Sequence, residues 1–155
     1  MRQPLEYLIV QYQKSLFVAA FNICGNSDDA NDMVQETFIQ YHVSGKDFND
    51  EEHIKSWLLR VVINKSKNLT RSFWRRNKVS MEEIGDNVVF ESGENERLFE
   101  EVMKLPEKYR IIIHLFYYED YSAAQIAQIL EMSEAAVKMR LSRRRNMLRD
   151  VLKEG

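Results

Sequence analysis

The stretch that decides the fold is YSAAQIAQILEMSEAAVKMRLSRRRNML, residues 121–148. Ser122, with Gln125 three residues later, forms a capping box, which marks the start of a helix. A short helix follows with apolar residues at helical spacing, and "EMS" provides a tight turn. Ser133 can then cap a second helix. This succession predicts a helix-turn-helix.

The second helix of this motif is suited to contact with DNA. Val137, Leu141 and Leu148 form one narrow apolar stripe. The opposite side carries small or polar residues with cationic flanks, which suits a helix in a major groove because side chains can reach base edges and charges can reach phosphates. The residues that we predict to contact DNA are Ala136, Lys138, Met139, Arg140, Ser142 and Arg143. The alternative is an amphipathic terminal helix with a solvated basic face.

Charge is segregated along the chain, so the formal net charge of −2 does not exclude nucleic acid. Seven basic residues and no acid lie between Arg60 and Lys78. Eight acids against one arginine lie between Glu82 and Glu101, and six basic residues without an acid lie between Lys138 and Arg149. The pattern is two cationic segments separated by an acidic connector.

The domain organisation follows from helical periodicity and from the scarcity of Gly (5) and Pro (2). We predict an all-α protein with two small helical domains, residues 4–76 and 95–153, joined by a flexible acidic linker at 77–94. The helix near the end of the first domain is expected to bury a set of apolar side chains: Ile54, Trp57, Leu58, Val61, Val62, Leu69 and Phe73.

The segment SDDANDMVQETFIQY, residues 27–41, predicts a helix capped by Ser27. One face is largely apolar: Ala30, Met33, Val34, Thr37, Phe38 and Tyr41. The other face carries acids and an amide: Asp29, Asp32, Gln35 and Glu36. From the residues alone, a solvated outer face is the simpler interpretation, and a docking surface for a cationic partner is the alternative.

Enzymatic chemistry and metal binding are not predicted. The three histidines and the single Cys24 show no ligand spacing, and no catalytic set or phosphate-binding loop stands out. We therefore expect a protein that is not an enzyme and needs no cofactor or metal. One cysteine, no signal peptide and no apolar run of membrane-spanning length indicate a cytoplasmic protein without membrane insertion.

Three stretches, in this order along the chain, resemble the extracytoplasmic-function (group 4) sigma factors of bacterial RNA polymerase. GNSDDANDMVQETFIQY is similar to the family's region 2.2, and HIKSWLLRVVINKSKNL is similar to its region 2.3–2.4. The segment from LPEKYR to RRRNML is similar to region 4. The match covers nearly the whole chain.

The resemblance implies a transcription-initiation function with several partners. The acid–amide face would dock on a coiled coil of the polymerase β′ subunit, with further contact to β, and the helix-turn-helix would bind the −35 promoter element. The loop Ser44–Glu52 would capture a flipped base of the −10 element, and an anti-sigma factor would be a further partner. The residues implied for −10 binding are Phe48, Asn49, Arg60, Asn64, Lys67 and Arg71.

Two other interpretations stay open at this point. A conventional regulator would bind an operator through the helix-turn-helix and dimerise or sense through residues 4–76. A helical adaptor would bind polymerase without melting DNA. The recognition helix has Ala135-Ala136 where many family members carry Gly-Thr, so the −35 sequence is left open.

Overall fold

The computed structural model describes residues 1–74 and 104–143, with backbone only at 71–74 and Glu107, and the chain divides into two compact units, Met1–Asn87 and Val88–Gly155. All regular secondary structure in the described ranges is helical, which confirms the all-α prediction. The predicted acidic linker lies outside these ranges. Over the same residues, no helix has the length and apolar character needed to span a bilayer.

Within residues 1–74, the first unit contains three helices, each packed against the other two: α1 (Leu5–Cys24), α2 (Ser27–Ser44) and α3 (Glu51–Trp74). Gly25 ends α1 with a left-handed backbone (φ 67°), and its N–H donates to the Phe21 carbonyl at 2.9 Å. Glycine takes this conformation without a Cβ penalty, so the chain can reverse within two residues. The tight turn places α2 directly against α1.

The predicted N-cap of α2 was wrong by one residue. Asn26 is the cap: its backbone is extended, and its Oδ1 accepts a hydrogen bond from the Asp29 N–H at 3.0 Å. Ser27 is the first helical residue instead. Asn and Ser are about equally good caps, so residue type alone could not separate them. The position of the cap follows from the turn before it. Gly25 has a left-handed backbone and Asn26 has an extended one, so Ser27 is the first residue with a helical backbone.

The division of α2 into two faces is confirmed. Its buried residues are the predicted ones: Ala30, Met33, Val34, Thr37, Phe38 and Tyr41. Thr37 is tolerated inside because its hydroxyl donates to the Met33 carbonyl at 2.7 Å. The core of the first unit therefore fixes which side of α2 faces outward.

The predicted core of α3 was only partly right. Three members of the predicted set, Ile54, Leu58 and Val62, have 0% exposure, whereas Trp57, Val61 and Leu69 are half-buried. The Phe73 side chain lies outside the described residues.

The buried face of α3 is wider than one stripe because the helix packs on both α1 and α2. Leu59 and Ile63 are also fully buried, although neither belongs to the predicted set. Ser66 and Thr70 are buried further along, and the Thr70 hydroxyl donates to the Ser66 carbonyl at 2.8 Å. The Thr70 hydroxyl is thus satisfied within its own helix, whereas the Ser66 hydroxyl is buried without a hydrogen-bond partner in the described part of the chain. Apolar periodicity reveals neither residue.

The second unit contains the predicted helix-turn-helix. Helix α4 (Glu107–Ile113) continues into a π-helical turn (His114–Tyr118), followed by α5 (Ala123–Leu130) and a helix α6 described over residues 134–143. Leu105, Tyr109 and Ile113 form an apolar cluster at its start.

Both predicted caps of the helix-turn-helix are present. Ser122 Oγ accepts from the Gln125 N–H at 3.2 Å, and Gln125 Oε1 accepts from the Ser122 N–H at 2.9 Å. Ser133 Oγ accepts from the Ala136 N–H at 3.1 Å. Glu131, with φ 56°, makes the turn between the helices. These contacts fix where α6 begins and hence which of its residues face outward.

Candidate protein and nucleic-acid interfaces

The outer face of α2 is a solvent-exposed patch of carboxylates and an amide. Asp32, Gln35 and Glu36 are exposed, and Asp29 is half-buried. Among residues 1–74 and 104–143, the side chains of these four residues form no hydrogen bond or ion pair. Partial burial raises the pKa of Asp29, and the nearby carboxylates of Asp32 and Asp28 raise it further. The patch thus carries uncompensated negative charge, available to a cationic partner.

An apolar extension of this patch was missed by the sequence analysis. Ile39 and Val43 are 61% and 75% exposed, and together with Glu36 and Lys65 they line an open groove of about 390 Å³ between α2 and α3. Both apolar residues lie off the buried face of α2. The sequence did contain a signal for this apolar surface: Ile39 and Val43 do not follow the helical spacing of the buried residues of α2.

The loop after α2 differs from expectation at Phe48. Its ring is 3% exposed and stacks on Tyr41 at 5.8 Å between centroids, with Trp57 and His53 edge-on at 5.6 and 5.1 Å. In this conformation Phe48 anchors the loop in the core and does not offer a free ring to an unstacked base. Asn49 beside it is exposed, and its N–H donates to His53 Nδ1 at 3.1 Å.

The predicted polar stripe of α3 lies on the side away from the core. Arg60 and Asn64 are exposed and Lys67 is half-buried, while the side chain of Arg71 lies outside the described residues. Residues 60, 64 and 67 fall on one side because they are spaced three and four apart. The stripe begins about two turns after the loop that carries Asn49.

The outward side of α6 carries most of the residues predicted for DNA. Val137 and Leu141 are buried at 0% and 2% exposure, whereas Leu148 lies outside the described residues. Met139 is 51% exposed. Ser142, Arg143 and Lys138 are exposed as well, while Ala136 and Arg140 are half-buried.

Two of the predicted cations of α6 already have partners within the chain. Lys138 Nζ lies 3.1 Å from Glu134 Oε1, one turn earlier on the exposed surface. Arg140 Nη1 lies 3.9 Å from the sulfur of Met132 in the turn. Arg143 is the outward cation of α6 for which the described residues show no such contact.

Two helical units, the second with a capped helix-turn-helix, define the class to which this chain belongs. The protein-family model for Sigma-70 region 2 matches residues 8–78 of this sequence, and the family model for Sigma-70, region 4 matches residues 95–148. These are the two conserved parts of the sigma-70 class of transcription-initiation proteins.

The curated relatives narrow the class. The chain is 30% identical over 138 residues to the ECF RNA polymerase sigma-E factor of Haemophilus influenzae, covering 78% of this chain and 73% of that protein. It is 26% identical over 160 residues to the ECF RNA polymerase sigma factor SigW of Bacillus subtilis, covering 92% of this chain and 86% of that one. The chain belongs to the extracytoplasmic-function RNA polymerase sigma factors.

A solved structure supports the fold. The sigma factor RpoE from Bartonella quintana, crystallised with the anti-sigma factor NepR, superposes with a TM-score of 0.71 at 20% identity, covering 96% of each chain.

Proteins of this family are not enzymes, which agrees with the sequence analysis.

Proposed function

We propose that this chain binds core RNA polymerase and directs it to promoters through a −35 and a −10 element, with residues 4–76 and 95–153 as the two working domains. The observation that supports this most directly is the outer face of α2. Asp32, Gln35 and Glu36 are exposed there and have no side-chain partner among residues 1–74 and 104–143, while the opposite face of the helix is buried. A patch of this kind suits Arg and Lys on a partner helix, which we assign to the β′ coiled coil.

The −10 element is assigned to the loop after α2 and the polar stripe of α3. Extruding a base from the duplex costs a few kcal/mol, which hydrogen bonds or stacking must offset. Asn49 and Asn64 are exposed amides that can read a base edge. Arg60 and Lys67 provide charge for the phosphates of the separated strand. With Phe48 in the core, hydrogen bonding rather than stacking is the recognition mode that the described loop supports.

The −35 element is assigned to α6. Its outward side combines Met139 and Ser142, which are exposed and would face the base edges, with Arg143, which can reach a guanine edge or a phosphate. Lys138 and Arg140 flank this side and would meet the backbone phosphates. The helix would lie in the major groove with the capped turn at Ser133 against one strand.

Regulation by an anti-sigma factor is part of the proposal. The Bartonella quintana protein was solved with such a partner, the anti-sigma factor NepR. A protein that covers the outer face of α2 would block polymerase docking directly. Because core polymerase and promoter DNA are the other partners, we also place this chain in the cytoplasm.

Run-off transcription tests the proposal. Purified chain is added to core RNA polymerase with a promoter library, and transcripts are sequenced. Specific initiation that requires both the chain and core enzyme is expected. A chain that binds DNA tightly without polymerase and yields no transcripts would be a conventional regulator. A chain that binds polymerase but initiates nowhere would be an adaptor.

A further inference from the structure

Residues 1–3 pack against the loop after α2 through a set of specific contacts. The Phe48 N–H donates to the Met1 carbonyl at 3.0 Å. The Gln3 N–H donates to the Tyr41 hydroxyl oxygen at 3.0 Å, and that hydroxyl donates to the Gln3 carbonyl at 2.7 Å. The segment before α1 is therefore bound to both the last turn of α2 and the loop that follows.

Arg2 connects these two parts with one side chain. Its Nη2 donates to the Tyr41 carbonyl at 3.0 Å, and its Nη1 donates to the Lys46 carbonyl. Its guanidinium carbon lies 4.3 Å from the centre of the Tyr41 ring. A planar fork can bridge two carbonyls and stack on an aromatic ring at once, and a cation is favoured near a helix C-terminus. Arg2 is thus a brace across the start of the loop.

A series of contacts connects Arg2, through the core, to the exposed part of the loop. Tyr41, beneath Arg2, stacks on Phe48, and Phe48 packs on Trp57 of α3. Asn49 follows Phe48 directly, and its N–H is held by His53. Arg2 braces the loop start and the aromatic cluster holds Phe48, so the backbone that presents Asn49 has little freedom to shift.

We propose that Arg2 is a positioning residue for −10 recognition: it orients the loop that presents Asn49 to an unstacked base, without contacting DNA itself. This inference rests on the proposed function, because it requires the loop to read the −10 element. It also predicts that promoter discrimination depends on a residue far from Asn49 in sequence. Polymerase docking through the outer face of α2 would not depend on it.

The test uses the full chain with core polymerase on a library with a fixed −35 element and randomised −10 positions. Arg2→Ala is expected to reduce the enrichment of the preferred base at one −10 position by about five- to tenfold, the size of the net effect of losing one ordinary hydrogen bond between Asn49 and the base. Affinity for core polymerase should be unchanged. Arg2→Lys keeps the charge but cannot bridge both carbonyls, so discrimination should recover in part.

Tyr41→Phe gives a second, independent perturbation, because it keeps the ring and its packing but removes the hydroxyl bridge to Gln3. It should shift discrimination in the same direction as Arg2→Ala. Lys14→Ala is the matched control, since it removes an exposed cation about 13 Å along α1 from its first residue. The control should leave discrimination unchanged.

The outcomes separate this inference from the function on which it rests. Arg2→Ala could instead lower affinity equally on every promoter and reduce the slope of log K against log [salt] by about one. That result would mean that Arg2 contacts a phosphate, and the positioning role would be wrong. If Asn49→Ala changes the −10 preference and Arg2→Ala does not, the loop reads DNA without this brace. If neither variant alters any −10 position while transcription proceeds, the assignment of the loop is itself wrong.

Discussion

Charge reversal on the outer face of α2 should abolish polymerase binding without affecting the fold. Asp32 and Glu36 are exposed, lie one turn apart and have no partner within the described residues. The double variant Asp32→Lys with Glu36→Lys therefore removes no hydrogen bond or ion pair from the part of the chain that the structure describes. It also relieves repulsion, because Asp32 contributes to the raised pKa of Asp29. The free energy of unfolding should change by no more than about 0.5 kcal/mol.

The effect on binding should be much larger. A charge pair at a partly desolvated interface contributes about 1–3 kcal/mol, and reversal replaces attraction by repulsion. Two such positions give a loss of about 4 kcal/mol, equivalent to about a 1,000-fold rise in Kd. Most of the loss should appear as faster dissociation if the carboxylates are covered in the complex, and as slower association if they stay at its rim.

The assay is fluorescence anisotropy of the labelled chain titrated with core polymerase, beside thermal unfolding of each variant. Glu6→Lys with Glu52→Lys is the matched control, since both glutamates are exposed and the change in net charge is the same. These two lie in first turns of helices, where reversal costs about 0.3–1 kcal/mol each, so the control is the harsher one for stability. Docking elsewhere on the chain would leave the Kd of the Asp32/Glu36 variant equal to that of the control.

Three further outcomes are expected. Arg143→Ala should weaken holoenzyme binding to the −35 duplex by about 1–3 kcal/mol and relax the preference at one base pair; an equal loss on every sequence would place Arg143 on a phosphate. Phe48→Ala should lower the free energy of unfolding by about 3–5 kcal/mol in urea titrations, and a change below about 1 kcal/mol would contradict its burial. Burial raises the pKa of Tyr12 to about 12 from 10.0, so the neutral form stabilises the fold below pH 10 and that contribution is lost as pH rises through 12. Melts of Tyr12→Phe should therefore show a smaller loss of stability between these pH values than the parent chain does.

The faces of α2 could be predicted from sequence because a regular helix projects its pattern onto its surface. The six buried residues match the apolar stripe without exception, and Gly25 and Asn26 only shifted the cap by one position. The helix-turn-helix was predictable for a similar reason. Its caps at Ser122 and Ser133 depend on contacts three residues apart, so local sequence contains all the information.

The loop after α2 could not be predicted in the same way. An aromatic residue in a polar loop suggests a stacking surface, whereas Phe48 is drawn into the core by Tyr41 and Trp57. Arg2 was missed because its partners are the carbonyls of residues 41 and 46, which no sequence pattern marks. Contacts between a side chain and backbone carbonyls some 40 residues away depend on the packed fold, not on periodicity.

The distribution of charge predicts that promoter binding by the free chain is weak. Of the predicted DNA-contacting cations on α6, Lys138 is paired with Glu134, and the exposed carboxylates of α2 repel phosphate. At physiological salt the screening length is about 8 Å, so distant cations do not reinforce one another. Attachment to polymerase would make the −35 and −10 contacts intramolecular, with effective concentrations of about millimolar for short connections.

Mobility-shift titrations at about 0.15 M salt should therefore detect a specific complex between holoenzyme and promoter DNA. The free chain should show only non-specific, salt-sensitive binding, with Kd values above about 1 µM. A nanomolar Kd for the free chain on a promoter duplex would instead favour a conventional operator-binding regulator.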